Sequence, residues 1–244
     1  MATDLKGVRV VVTRPRSQAG ELARLLSERG AAVVVRPTIE VVLRDDRRTV
    51  ERLAAISPAT TDAVLVTSGN AAHALATYST PAARAVPIFA VGSATADALR
   101  RQGFGDVRVG MVASGAGLLD YMRGTLGDRL AGMRLLAPQS SRAHDTLVSG
   151  LIASRAEVEI VTAYDTRVVR DGEPLPAEPI DWITFTSPSA VEGFLTALTF
   201  PRGARVACLG ATTRDAAEAQ GLRVTVVPRT PSLVGLVDAI AEAV

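Results

Sequence analysis

Short runs of β-branched and aliphatic residues alternate along this chain with stretches whose apolar positions recur every three or four residues. The first pattern predicts strands buried on both faces and the second predicts amphipathic helices, so the alternation reads as βα units wound into parallel sheets. Ten strands are expected: Val8 to Val12, Ala32 to Arg36, Ala63 to Val66, Ile88 to Val91, Val107 to Val109, Arg134 to Ala137, Val158 to Val161, Trp182 to Phe185, Val206 to Leu209 and Val224 to Val227. Helical spacing fills the intervals. From Ala19 to Arg29, for example, Leu22, Leu25 and Leu26 fall on one face and Gly30 supplies the stop.

The second half of the chain repeats the first. Asp62-AVLVTSGNAA matches Asp181-WITFTSPSAV, and AVGSATADALRRQGF, with Gly92 and Thr95, matches CLGATTRDAAEAQGL, with Gly210 and Thr213. More weakly, the segment from Gly7 matches that from Gly132, and the one near Ser114 matches that near Thr230. One five-strand unit therefore occurs twice, each copy sufficient for a small doubly wound α/β domain with helices on both faces of a parallel sheet. Extended stretches, Thr38 to Leu43 and Ala163 to Val169, follow the second strand of each repeat. If both are crossovers, the first βαβ joins the last three units and the middle of the chain forms the other domain. Two consecutive domains satisfy the same pattern.

Composition narrows the functional classes. Apolar residues at 48% and charged residues at 21% are globular proportions, and no apolar run reaches the roughly eighteen residues that span a bilayer, so no membrane partner is expected. The N-terminus begins a strand almost at once and lacks the order of a secretory signal, which predicts a cytoplasmic location. A net charge of +2 with scattered arginines gives no nucleic-acid footprint. Cys208, the one cysteine, lies in the apolar run VACLG and reads as a buried, inert thiol. His73 and His144 are too far apart for a zinc motif and read as helix-surface residues, so no metal is expected. Neither GxGxxG after the first strand nor GxxxxGK[ST] occurs, which disfavours a dinucleotide or ATP. Sparse aromatics and the lack of an exposed apolar stripe favour a monomer.

In parallel sheets ligands bind at the carboxyl ends of the strands, where helix N-termini present free N–H groups. Those ends read Thr13-Arg14, Ser68-Gly69-Asn70, Gly92-Ser93-Ala94-Thr95, Gln139-Ser140-Ser141, Ser187-Pro188-Ser189 and Gly210-Ala211-Thr212-Thr213. Each alone is an ordinary helix cap. Together, facing one cleft between the domains, they suit a ligand with many carboxylates, with Gly92 and Gly210 admitting close backbone approach. No Ser-His-Asp order or carboxylate pair stands out, so the chemistry reads as positioning more than strong acid–base work. Tyr164, at the start of a crossover, is the candidate weak acid; its alternative is a tyrosine that packs a hinge.

The chain resembles the uroporphyrinogen-III synthase family at VVVTRPRSQAGELARLLSERGA from Val10, LVTSGNA from Leu65, AVGSATADALRRQGF from Ala90, AYDT from Ala163, FTSPSAV from Phe185, CLGATT from Cys208 and the terminal PSLVGLVDAI. The resemblance implies the swapped layout: residues 1–37 plus 168–244 as one domain, 45–162 as the other, and 38–44 with 163–167 as a two-stranded hinge. It implies hydroxymethylbilane as the small-molecule partner, no cofactor, and room for a transient contact with the upstream deaminase. The implied reaction removes the terminal hydroxyl and recloses the ring through a spiro intermediate with the last pyrrole inverted. By motif position Tyr164 would assist departure of the hydroxyl. Thr95 and Thr213 would donate beside the carboxylates or the leaving group, and Ser68, Ser187 and Ser189 would add anion contacts, with Thr13, Arg14, Asn70, Gly92, Ser93, Gly210 and Thr212 completing the binding set. The chain departs from the family at Arg155-Ala156, where Gly is frequent, and in the loop Gln139 to Arg142. A non-catalytic two-lobed sensor of tetrapyrroles or small anions shares the architecture, as would a two-lobed glycosyltransferase, although no turn reads as its nucleotide site.

Overall fold

A computed structural model describes residues 4–141, 146–170 and 174–244; Arg142 and His144 lie outside the described residues. In chain order the elements are β1 (Arg9–Val12), α1 (Arg16–Glu28), β2 (Ala32–Val35), β3 (Ile39–Leu43), α2 (Arg47–Ala54), β4 (Ala63–Val66), α3 (Gly69–Tyr78), β5 (Ile88–Ala90), α4 (Ser93–Arg101), β6 (Val107–Val109), α5 (Gly115–Leu126), β7 (Arg134–Ser140), α6 (Thr146–Ala153), β8 (Glu157–Val168), β9 (Trp182–Phe185), α7 (Pro188–Ala197), β10 (Arg205–Cys208), α8 (Ala211–Ala219), β11 (Val224–Val226) and α9 (Leu233–Glu242). The chain divides into two compact units, Met1–Glu40 with Thr166–Val244, and Val41–Asp165.

The sheet of the first unit runs β11-β10-β9-β1-β2 with every pairing parallel. Strand order reverses between β1 and β9, which makes their carboxyl ends the topological switch point where doubly wound sheets hold ligands. The alternation of side chains along β1 explains why both faces carry helices: Val10 and Val12 pack with Leu22 and Leu26 of α1 and Leu236 and Ile240 of α9, whereas Val11 packs with Phe194 of α7 and Ala217 of α8. The sheet of the second unit runs β3-β8-β7-β4-β5-β6. There Val64 and Val66 face Leu75 of α3 and Leu99 of α4, while Leu65 faces Leu118 of α5 and Leu151 of α6. Its switch point lies between β7 and β4.

Three stretches join a ladder beyond the ten expected strands. Residues 39–43, read as extended, form β3, and 163–168, also read as extended, prolong the strand that begins at Glu157. Arg44 N–H donates to the carbonyl of Ala163 and Val169 N–H to that of Thr38, so β3 and the end of β8 pair antiparallel. β7 likewise continues to Ser140 through Gln139↔Thr162 and Ser140↔Tyr164, so Gln139-Ser140 are strand and not turn. The reason is tertiary in each case, because a neighbouring strand supplies the ladder that local propensity does not specify.

The duplication reappears as atoms. Asp62 accepts from the backbone N–H of Arg134 at 2.8 Å, and Asp181 accepts from that of Arg9 at 2.7 Å, joining the two switch-point strands of each unit in the same way. After α1, Gly30 takes φ +90°; at the matching position after α6 stands Arg155 at φ +63°. A Cβ in this left-handed region is strained, and Arg155 is the one non-glycine residue among those described that occupies it. Cys208 is fully buried, with its thiol pushed up to about 12 by burial, and His73 is exposed on α3. Arg155→Gly relieves the strain at the end of α6 against a smaller loss from a more flexible unfolded chain, so unfolding in urea should show a net gain of about 0.5–1 kcal/mol. An unchanged or lower midpoint would mean that the Arg155 side chain compensates for its backbone.

Candidate functional site

Each helix that follows a parallel strand starts at a carboxyl edge, and its first N–H groups are either capped by the protein or left to water and ligands. The sequence repeat sorts them in matching pairs. Ser68 caps α3 through Ala71 N–H at 3.1 Å, and its counterpart Ser187 caps α7 through Ala190 N–H at 3.3 Å. Ser114 and Ser232 cap α5 and α9, each at 3.0 Å. Between them α4 and α8 start at Gly92 and Gly210, and neither has a side-chain cap. Both glycines have extended backbone with φ −154° and −160°, which any residue adopts, so backbone strain is not what selects glycine here. What glycine leaves is an open N-terminus with the helix dipole behind it. Ser93 and Thr212 are exposed beside these starts, and Thr95 is half-buried. Thr213 is buried at 5% exposure, and its hydroxyl meets no hydrogen-bonding partner among the described residues.

In the second unit the structure brings Tyr164 and Ser68 together, residues 96 positions apart, with the phenol oxygen 2.9 Å from Ser68 Oγ. Tyr164 sits on β8, opposite Ser140 across a register shift in the β7 ladder, and is 6% exposed. Burial raises its phenol pKa, and the hydrogen bond with Ser68 partly opposes that rise. The hydroxyl therefore stays protonated through the neutral range and is held by one partner that itself caps a helix. Asn70 lies half-buried on the first turn of α3.

In the first unit the predicted residues divide. Thr13 is fully buried and its hydroxyl donates to the carbonyl of Thr184 at 2.7 Å, so as placed it is a core residue closed to a ligand. Nothing in VVVTRP signals this, because the β9 strand that receives the bond lies about 170 positions away. Ser187 and Ser189 hydrogen-bond each other at 3.1 Å in addition to the cap. Arg14 is half-buried; one terminal nitrogen reaches the amide oxygen of Gln18 at 3.3 Å, its Nε is buried without a partner, and burial lowers its pKa. The helix that follows starts at Pro15 with no side-chain cap. Beside it, at the end of β2, Arg36 is 8% exposed and its Nε is also buried without a partner. Sequence reasoning placed Arg36 inside a strand; the available signal was a charge closing the apolar run AAVVV at a strand's carboxyl end.

Other arginines contrast with these two. Arg52 and Arg134, which line a hollow at the amino ends of β7 and β8, are paired with Glu159 and Asp62. Among the described residues no group of three His, Cys, Asp or Glu side chains is placed to hold a metal ion, and no helix is long and apolar enough to cross a membrane.

Comparison with known proteins places this arrangement among relatives. Residues 20–238 match the family described as Uroporphyrinogen-III synthase HemD. The chain is 35% identical to a chloroplastic uroporphyrinogen-III synthase from Oryza sativa subsp. japonica over 45% of its own length and 38% of that protein's. It is 26% identical to the porphyrin biosynthesis protein HemD of Ruminiclostridium josui over 99% of its length and 50% of that protein's, so it spans half or less of these two relatives. A uroporphyrinogen-III synthase of Chlorobaculum parvum is 25% identical over 96% of this chain and 98% of that one. In fold it is similar to a mutant uroporphyrinogen III synthase from Thermus thermophilus, with TM-score 0.65, 19% identity and coverage of 97% and 98%. It is similar also to uroporphyrinogen-III synthetase from Helicobacter pylori 26695, with TM-score 0.64, 17% identity and coverage of 97% and 100%.

Gly210→Ser tests whether an open helix start is a ligand site. A Cβ there meets nothing closer than Pro231 Cγ at 3.8 Å, so the serine fits and caps α8 as Ser187 caps α7. The expected result is a melting temperature equal to or slightly above that of the parent, with affinity for an octacarboxylate porphyrin lowered about tenfold by loss of a charged hydrogen bond. Unchanged affinity would leave this start as an uncapped helix end and no more.

Proposed function

The chain belongs to the uroporphyrinogen-III synthase family, and on that premise we propose that it converts hydroxymethylbilane to uroporphyrinogen III in tetrapyrrole biosynthesis. The terminal C–O bond breaks and the hydroxyl leaves as water. The resulting azafulvene closes through a spiro intermediate, and the last pyrrole ring is inverted in the product. The bilane also loses water and cyclises unaided to the uninverted isomer, so the protein's task is to hold both ends of the chain such that the spiro route prevails. That task calls for fixed anion contacts, which agrees with the scarcity of acid–base machinery.

The observation that carries this reading is the buried, protonated Tyr164 phenol resting on Ser68 Oγ at a carboxyl edge. A neutral phenol donates a hydrogen bond to a departing hydroxyl without bringing a charge that would have to be desolvated. Ser68 fixes the direction of that phenol while its own oxygen is fixed by Ala71 N–H. Carboxylates of the substrate are received by the open starts at Gly92-Ser93 and Gly210-Thr212, with Thr95 and Thr213 as hydroxyl donors in the same turns. Ser187 and Ser189 orient the start of α7 and contribute as helix dipole more than as free hydroxyls.

Hydroxymethylbilane generated in situ, incubated with the protein without metal or nucleotide and then oxidised, should give predominantly type III uroporphyrin on chromatographic separation; type I alone, at the rate seen without protein, refutes the assignment. Tyr164→Phe should lower turnover about a hundredfold with little change in melting temperature. Because burial raises the phenol pKa above its ordinary value near 10, the working neutral form persists to that pH, and the alkaline limb that Tyr164 sets lies above it. The limb should be missing in the phenylalanine variant. Full turnover in that variant removes Tyr164 from the mechanism.

A further inference from the structure

We propose that Arg36 and Arg14 together form a receptor for one carboxylate of the substrate, with Arg36 a binding residue that no motif of the sequence marks. The inference rests on the reading of the substrate as a polycarboxylate. β1 and β2 are adjacent, parallel and in register through Val12↔Val35, and the backbone bond from Arg36 N–H to the carbonyl of Val12 at 2.8 Å continues the ladder past the last paired residues. Strands so paired lie about 4.8 Å apart, so the two arginines leave neighbouring strand ends on the same edge of the sheet.

Each guanidinium keeps a buried Nε without a hydrogen-bond partner, and neither forms an ion pair among the described residues, Glu21 acting on Arg14 only through its field. Arg36 is more than nine-tenths buried, has no ion pair or side-chain hydrogen bond among the described residues, and keeps an unpartnered Nε. Arg14 has a neutral amide as its side-chain partner and also keeps an unpartnered Nε. Among the described residues the other side-chain nitrogen left in this state is Trp182 Nε1, at the first residue of β9 and so at the opposite edge of the sheet. A buried charge without a partner is costly, and a fold retains one where an anion completes it. The uncapped start of α1 at Pro15 adds further N–H groups beside the same turn. A planar carboxylate matches this donor set, because guanidinium presents paired N–H groups at the spacing of two carboxylate oxygens.

The receptor predicts an unusual pair of effects. In Arg36→Met the free protein should melt at the same temperature or higher, because an uncompensated cation is gone, while KM for hydroxymethylbilane rises about ten- to a hundredfold and kcat falls less. Fluorescence titration with uroporphyrin III should weaken by the same factor. Arg36→Lys, which keeps the charge and loses the fork, should fall between parent and Met variant, and it carries the test alone if the Met variant does not fold. Unchanged KM and unchanged uroporphyrin affinity in Arg36→Lys and Arg36→Met overturn the receptor. So does a loss of stability in the Met variant with affinity intact, which would make Arg36 a structural cation. Failure of the functional reading is separate: the parent then yields only type I product, and the uroporphyrin titration of the variants still judges the receptor.

Discussion

Pairing of the two strands at each switch point is the constraint on which the rest of the molecule depends. In the first unit it joins β1 to β9 across more than 160 intervening residues, and an aspartate seals it: Asp181 accepts the backbone N–H of Arg9. In the second unit Asp62 does the same for Arg134, and its side chain also grips that arginine's guanidinium, which holds the Asp62 carboxyl below its ordinary range. With these pairs in register, the helices that follow parallel strands start on the carboxyl edge of their sheet. Arg14 and the Ser187 turn then emerge side by side at one switch point, and the Ser68 turn emerges beside the end of β7 at the other.

Capping divides the edges into closed and open turns. Serine at a helix start satisfies its own backbone and lowers the attraction of the site for an anion, whereas glycine leaves that attraction intact. The chain uses serine before α3, α5, α7 and α9 and glycine before α4 and α8, the same choice in both repeats. Duplication therefore preserved a pattern of satisfied and unsatisfied donors as well as a pattern of apolar residues. Arg14 and Arg36 extend the same logic to side chains in the first unit alone.

Local strain follows from the same duplication. Gly30 and Arg155 end equivalent helices in equivalent backbone conformations, yet only one of them is the residue that conformation favours. The two turns are held by matching backbone bonds, Ala31 to Leu26 and Ala156 to Leu151, so the arginine is carried into the left-handed region by the contacts around it.

The architecture and the candidate turns at the strand ends were legible in the chain itself. Periodicity placed ten strands within a few residues, the repeat defined the five-strand unit, and the small polar turns marked the edges, because each of these is written in contiguous residues. Tertiary structure decided the rest. β3 and the long β8 exist because a partner strand provides the ladder, and β7 runs on through Gln139 for the same reason. Thr13 looks like a ligand donor in its local sequence and becomes a core residue because Thr184 presents a carbonyl to it. Ser68 and Tyr164 form one group only after the sheet brings β4 and β8 to one edge. Arg36 reads as the end of a strand until burial without a counter-ion sets it apart, and burial is a property of the folded chain that no local pattern carries.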